Sequence, residues 1–255
     1  MGFSHPRVQQ LRRLAARRDA RVADGAFVVE GATLINEAVR ADWDVHDVFH
    51  GHGAEPLEVP GARSHELARG VLERVSTTHT PQPHLAIVGR RLASPARLGE
   101  PGDHVVVYLD AVSDPGNVGT VLRSAEAMGA AFVALGAGSV DPFNSKVVRA
   151  SAGALFWVPV VEVDDLSSVV AGGYRTVGTT SHPGDGAVPI AQLDVAGRLA
   201  LVMGNESHGV TAVSREHVAE WTYVPHVGRA ESLNVAMATT IMCYEIARRR
   251  EALLN

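Results

Sequence analysis

At 255 residues and 46% hydrophobic content, the chain is long enough for one large domain or two modest ones and too apolar to remain disordered. No apolar run approaches the roughly 18 residues that span a bilayer, and the opening MGFSHPRVQQLRRLAARR lacks the apolar centre of a secretory signal, so a cytoplasmic location is expected. The single cysteine, Cys243, excludes an intrachain disulfide and reads as a small buried hydrophobe.

The net charge of −5 is unevenly spread. Arg7, Arg12, Arg13, Arg17, Arg18 and Arg21 stand against Asp19 alone, so the first 21 residues carry +5 and the remainder −10. Clustered arginines suit phosphate contact; a solvated helix face is the plainer alternative. In chain order, Ser4-His5-Pro6 opens a helix with Val8, Leu11 and Ala15 on one face. Then come a strand at 27–29, a helix at 31–40 with Leu34, Ile35 and Ala38 inward, a strand at 45–49, a helix at 66–74 and a strand at 85–88. This alternation predicts a small α/β domain over 1–95, followed by a linker of turn formers and charges at 96–103. A second domain, 104–255, opens with a near-continuous apolar strand at 104–110, the mark of a parallel sheet covered on both faces. A helix at 117–128 and strands at 131–135, 174–178, 199–203 and 221–224 follow. The last helix, 233–249, is apolar over much of its surface and should be buried or meet a partner chain.

Three loops, each after a strand, hold the chemically capable residues. The first runs from Asp110 through Pro115-Gly116-Asn117 to Arg123, whose long side chain tilts back toward the loop mouth. The second is Met203-Gly204-Asn205-Glu206-Ser207-His208-Gly209; Gly204 permits close approach of a ligand, and Glu206 can accept hydrogen bonds. The third is Val224-Pro225-His226-Val227-Gly228-Arg229-Ala230-Glu231-Ser232-Leu233-Asn234, where Ser232 or Asn234 opens the last helix. Taken singly, each has an ordinary explanation: Asn117 as a helix cap, Arg123 as a surface ion-pair partner, Ser232 or Asn234 as another cap. In open α/β sheets, however, ligands bind beyond the carboxyl ends of the strands, where all three loops lie.

Together, Asn-x-Gly-x-x-x-Arg, Gly-Asn-Glu-x-x-Gly and Pro-x-x-Gly-x-x-x-Ser-Leu-Asn-Val-Ala, in this order, resemble the three motifs of the SpoU (TrmH) RNA 2'-O-ribose methyltransferases over residues 104–250. Ser4-His5-Pro6-Arg7-Val8, the arginine-rich helix and Phe27-Val28-Val29-Glu30-Gly31 are similar to the RNA substrate-binding domain that often precedes that catalytic domain. The resemblance implies a trefoil-knotted α/β domain, S-adenosylmethionine as cofactor and a homodimer. It implies cofactor contacts at Met203, Gly204, Asn205, Val224, Pro225 and Leu233, and a catalytic set of Asn117, Arg123, Glu206, Ser232 and Asn234. RNA contact falls to Arg7, Arg12, Arg13, Arg17 and Arg18. A guanidinium stays protonated at any working pH, so Arg123 is better suited to hold a phosphate and stabilise a developing alkoxide than to act as a base. His226 stands where a methionine is common, and Ser207-His208 where a glycine-acid pair is usual.

The front domain is more typical of members directed to ribosomal RNA and of antibiotic-resistance members, which favours ribosomal over transfer RNA by analogy. Transfer RNA methylation and a non-catalytic knotted RNA-binding factor stay open as alternatives; base methylation fits less well, because the asparagine-arginine pair belongs to the ribose group. No metal is expected: His46, His50 and His52 lack paired cysteines or carboxylates, and displacement from a sulfonium needs no metal. Gly136-Ala137-Gly138 lacks the glycines of a dinucleotide fingerprint, so no nicotinamide cofactor is expected. Residues 179–184 read as a surface loop that could flank the RNA path.

Overall fold

The structure is a computed structural model that describes residues 1–181, 184 and 186–254, the last without its side chain; His182 and Pro183 of the expected surface loop lie outside the described residues. Two compact units are present, Met1–Arg91 with Asp141–Trp157, and Leu92–Val140 with Val158–Asn255.

In the first unit α1 (Pro6–Ala16) and α2 (Arg18–Asp24) precede β1 (Ala26–Glu30), α3 (Ala32–Arg40), β2 (Val45–His50), β3 (Arg63–Glu66), α4 (Leu72–Val75) and β4 (His84–Gly89). The strands form a sheet in the order β1-β4-β2-β3, antiparallel except for β2 with β3. His5 caps α1 by accepting from the Arg7 amide, and Val8, Leu11 and Leu14 form its buried face; Leu14 takes the place expected of Ala15. The helix expected at 66–74 is an edge strand followed by one helical turn: residues 63–66 pair with Asp47–His50, so the helix starts only at Leu72.

All five residues of β1 are buried, and they alternate between two cores. Ala26 and Val28 join Val8, Leu11 and Phe49 on one face. On the other, Phe27 packs at 4.8 Å from Phe143 and 5.9 Å from Trp43. Phe143 comes from Asp141–Trp157, which packs within this unit although sequence order sets it among the elements of the second. Its buried Asp141 accepts from Arg21 Nε at 2.7 Å, and its Phe156 carbonyl accepts from Trp43 Nε1 at 3.0 Å. A buried ion pair is costly to leave half-made, so Arg21 is a structural residue, unlike its neighbours in the arginine run.

The second unit contains β5 (Val105–Asp110), α5 (Pro115–Ala127) and β6 (Phe132–Leu135); α6 (Ser145–Ala150) lies in the segment that packs with the first unit. Then come β7 (Val160–Glu162), α7 (Ser167–Ala171), β8 (Arg175–Thr179), β9 (Val188–Pro189), β10 (Leu199–Gly204), α8 (Ala212–Arg215), β11 (Glu220–Tyr223) and α9 (Val235–Leu254). The sheet is parallel throughout, in the order β7-β6-β5-β10-β8-β11-β9. β5 and β10 are buried at nearly every position, which is why they read as unbroken apolar runs. The chain steps outward from β5 to β6 and β7, then returns to the other side through β8 and β10. That reversal makes the β5–β10 boundary the switch point where a crevice opens. The register pairs Asp110 with Gly204, so the first two loops start side by side. Gly136 serves packing: a Cβ there would meet the buried Tyr108 hydroxyl at 2.2 Å.

Candidate active site

The first loop turns immediately after β5 with Ala111 at φ +56°. Asp114, not Asn117, caps α5: its Oδ1 accepts the Asn117 amide at 2.8 Å. Asn117 is therefore the third helical residue, and its side chain is free for longer-range bonds. Asp110, buried at the strand end, accepts from Thr211 N at 2.6 Å and Ser214 Oγ at 2.9 Å, so it fastens the exit of the second loop to the start of the first.

The second loop folds back on itself. The Asn205 and Gly209 backbones exchange hydrogen bonds of 2.9 and 2.8 Å. The Asn205 Oδ1 accepts the Ser207 and His208 amides, and its Nδ2 donates to the Ala111 carbonyl at 2.9 Å. A Cβ on Gly204 would lie 2.2 Å from the Gly209 carbonyl carbon, so the close approach that requires glycine here is by the loop's own backbone. In the third loop Asn234, rather than Ser232, opens α9: its Oδ1 accepts the Ala236 and Met237 amides at 2.9 and 3.3 Å.

One chain of side-chain hydrogen bonds joins the three loops. Asn234 Nδ2 donates to Asn117 Oδ1 at 3.0 Å, and Asn117 Nδ2 donates to Glu206 Oε1 at 2.6 Å. Residues 117, 206 and 234, far apart in sequence, thus meet at one place with every amide assigned a partner. Beside them opens a cavity of about 510 Å³. Met203, Gly204, Asn205, Glu206, Val224, Ser232, Leu233 and Asn234 line it, as do Thr179, Thr180, Ser181, Arg215 and Met242, which sequence reasoning did not assign to the site. Thr179 ends β8 and Thr180 and Ser181 follow it; β8 neighbours β10, and only the strand order reveals that. Pro225 and Arg123 are not among the lining residues. Arg123 is exposed on α5, and no ion pair or hydrogen bond engages it among the described residues.

The cavity suits a nucleoside-sized ligand, for which volumes of about 300–1,000 Å³ are usual. Met203, Val224, Leu233 and Met242 offer an apolar wall for a flat base, while Glu206 and Ser232 offer polar groups for hydroxyls. An adenosine carrying a short zwitterionic tail meets both demands. Among the described residues no group of three or more His, Cys, Asp or Glu is arranged to hold a metal. The thiol of Cys243, buried within α9, is pushed up to about 12 by burial, which leaves it a packing residue.

The arginine run divides once its partners are known. Arg7 faces the buried Asp47 at 3.7 Å, Arg13 pairs with Asp24 at 3.8 Å and Arg17 with Asp19. Arg12 instead lies over the Phe3 ring at 4.5 Å, beside Arg74 over the same ring at 3.4 Å. Arg18 is exposed. Asp47 also accepts from Arg63 at 2.9 Å and His65 at 2.7 Å. Burial alone would raise its carboxyl, but these bonds and the Arg7 charge outweigh burial and hold it below the usual carboxylate range.

A parallel α/β sheet with a nucleoside-sized cavity beyond the carboxyl ends of β8, β10 and β11 is the frame of a nucleoside-binding α/β protein. Residues 104–244 match the SpoU rRNA Methylase family, and residues 5–86 match the MRM3-like substrate binding domain. The chain is 32% identical to the 23S rRNA (guanosine(2553)-2'-O)-methyltransferase RlmP of Bacillus subtilis, over 94% of this chain and 95% of that one. It is 29% identical to the 23S rRNA (uridine(2479)-2'-O)-methyltransferase of Streptomyces viridochromogenes, over 96% and 90%. Among solved structures it is similar to the SpoU methyltransferase AviRb from Streptomyces viridochromogenes in complex with AdoMet, with a TM-score of 0.85 at 29% identity and 97% and 99% coverage. An AdoMet-bound rRNA methyltransferase from Sinorhizobium meliloti gives 0.84 at 27% identity, with 96% and 95% covered. The chain belongs to the SpoU rRNA methylase family. Its second unit has the knotted fold of that family, and its methyl donor is S-adenosylmethionine. No helix among the described residues is long and apolar enough to cross a membrane.

Proposed function

We propose that the chain methylates a ribose 2'-hydroxyl of 23S ribosomal RNA, acting as a homodimer in the cytoplasm. The hydrogen-bond chain Glu206–Asn117–Asn234 at the mouth of the cavity carries this reading, because it fixes polar groups from all three loops beside the place where a methyl donor fits. When bound, the cofactor supplies a methyl group already activated on a sulfonium. The residues of the chain have two remaining tasks: to align the ribose oxygen and to weaken the hold on its proton. Met203, Val224 and Leu233 hold the cofactor base, with Gly204, Asn205 and Pro225 shaping the backbone around it. Glu206, Ser232 and Asn234 position the reacting groups. Arg123 faces solvent and takes the phosphate next to the target ribose, where its fixed charge stabilises the developing alkoxide.

In the first unit Arg12 and Arg74 are the arginines best placed to meet RNA phosphate. They converge on Phe3 with no carboxylate within ion-pair distance among the described residues, whereas Arg7, Arg13 and Arg17 are already paired. The dimer reading is supported by α9, where Met237, Ile241 and Tyr244 are 60%, 41% and 54% exposed at helical spacing on one stripe. The same stripe on a second copy would cover it by two-fold symmetry.

The test is calorimetry with S-adenosylmethionine followed by transfer of a tritiated methyl group to purified ribosomal RNA and, separately, to transfer RNA. Cofactor binding with label in 23S RNA is the expected result. Label only in transfer RNA would move the substrate, and binding without transfer to either would mark an RNA-binding factor.

A further inference from the structure

His226 stands in the loop between β11 and α9, and its ring reaches across that loop. Nδ1 lies 3.1 Å from the Val224 carbonyl oxygen and Nε2 lies 3.0 Å from the Ala230 carbonyl oxygen. Both partners are acceptors only. A neutral imidazole has one N–H and one lone pair, so it can satisfy one of these carbonyls while turning a lone pair toward the other. Only the imidazolium donates to both. No other hydrogen bond among the described residues joins positions 225–233 to one another, so this ring is the internal tie of the loop. The tied segment matters because Val224, His226, Leu233 and Asn234 line the cavity, and Asn234 continues into the bond with Asn117.

We propose that His226 is a positioning residue for the cofactor: its doubly protonated ring pins the loop closed, so the cavity holds S-adenosylmethionine more tightly when His226 is charged. This inference rests on the assignment of the cavity to that cofactor. The sign follows from the geometry. Loss of the ring proton replaces one donated bond by two facing lone pairs, so the loop loosens and affinity falls as pH rises. By linkage, cofactor binding must then draw a proton onto the ring. Other groups could imitate such behaviour. Glu206, His208 and Arg215 share the cavity wall, and Arg229 and Glu231 adjoin Ala230 in the same loop. His208 differs in having one ring contact, Nδ1 with Asn205 Oδ1 at 3.3 Å.

The test is calorimetric titration of the full chain with S-adenosylmethionine from about pH 5.5 to about pH 8.5, across the range in which imidazole changes charge. Wild type, His226→Gln, His226→Met and His208→Gln are compared. The cofactor's own amino group titrates equally with all four, so the difference between them isolates the ring. Wild type and His208→Gln should lose roughly three- to tenfold more affinity over this range than the two His226 variants, as the loss of one exposed charge-assisted bond predicts. Ring nitrogen spectra of the cofactor-bound wild type at the acid end should show both His226 nitrogens protonated. The same pH dependence in wild type and His226→Gln, or a bound ring with one bare nitrogen at that pH, would overturn the inference while leaving the cofactor assignment intact. Absence of cofactor binding to wild type at every pH would remove the assignment itself, and the inference with it.

Discussion

The bond from Asn117 to Glu206 gives the sharpest handle on the site. At 2.6 Å to a carboxylate it is a charge-assisted contact, worth about 1.5–3 kcal/mol when well formed. Glu206 is exposed and Asn117 half-buried, so the lower half of that range applies. With about 1.4 kcal/mol per decade of rate, Asn117→Ala should slow methyl transfer roughly 10- to 40-fold. Asn117→Asp should be worse, because it sets two carboxylates face to face. Their repulsion at about 4 Å is of the order of 1–4 kcal/mol between the water and protein-surface limits, which brings the loss to roughly 100-fold or more. Adding Glu206→Gln to Asn117→Asp reverses donor and acceptor and removes the repulsion, so the double variant should recover at least tenfold over Asn117→Asp alone. Cofactor affinity should change less than about fivefold in the two single variants, because Asn117 does not line the cavity. Single-turnover methyl transfer to ribosomal RNA, with calorimetry for the cofactor, measures both quantities. Asn117→Ala within twofold of wild type, together with no recovery in the double variant, would refute the idea that this hydrogen-bond chain organises the reaction.

Three further outcomes are expected. Asp47→Asn removes a buried acceptor that serves Arg63 and His65, and should cost about 2–3 kcal/mol, seen as a lower melting temperature. Because the Asp47 carboxyl is held low in the folded state, its contribution is present above about pH 4, its unfolded value, and fades as pH falls below that; the gap between wild type and Asp47→Asn should therefore narrow in acid, and a constant gap would count against the sign. Arg12→Gln with Arg74→Gln should reduce the slope of log affinity for RNA against log salt by roughly 1.5, while Arg17→Gln leaves it unchanged; equal slopes in all variants would remove the Phe3 pair from the RNA surface. Ile241→Glu should convert a dimer into a folded monomer in sedimentation, and an unaltered mass would place the contact elsewhere.

Much of the catalytic unit was legible because its strands are buried on both faces. The apolar runs of β5 and β10 admit few other readings, and the spacing of the three loops followed from them. What could not be read locally depends on pairing between distant residues. Asn117 looked like a cap because it follows Pro115-Gly116; Asp114, one residue before that pair, takes the role, and this is what releases the Asn117 amide. Gly204 looked like a place for a ligand to approach, yet its own loop fills that space. Thr179 to Ser181 entered the cavity wall only once β8 was known to neighbour β10. In the first unit the polar sequence Arg63–Glu66 has no alternating apolar pattern, so its role as an edge strand was invisible. The aromatic side chains of Phe143 and Phe156 signal burial without saying in which core. Likewise, the arginine run gave a charge but not its distribution among Asp19, Asp24, Asp47 and Asp141.

The most direct measurement is a nucleotide-resolution map of 2'-O-methylation in 23S RNA from cells that carry the wild-type gene, lack it, or carry Arg123→Ala. One site that is present with wild type, missing without the gene and missing with a folded, cofactor-binding Arg123→Ala protein is the result expected here. Identical maps in all three strains, or a site that persists with Arg123→Ala, would contradict a guanidinium-assisted ribose methyltransferase.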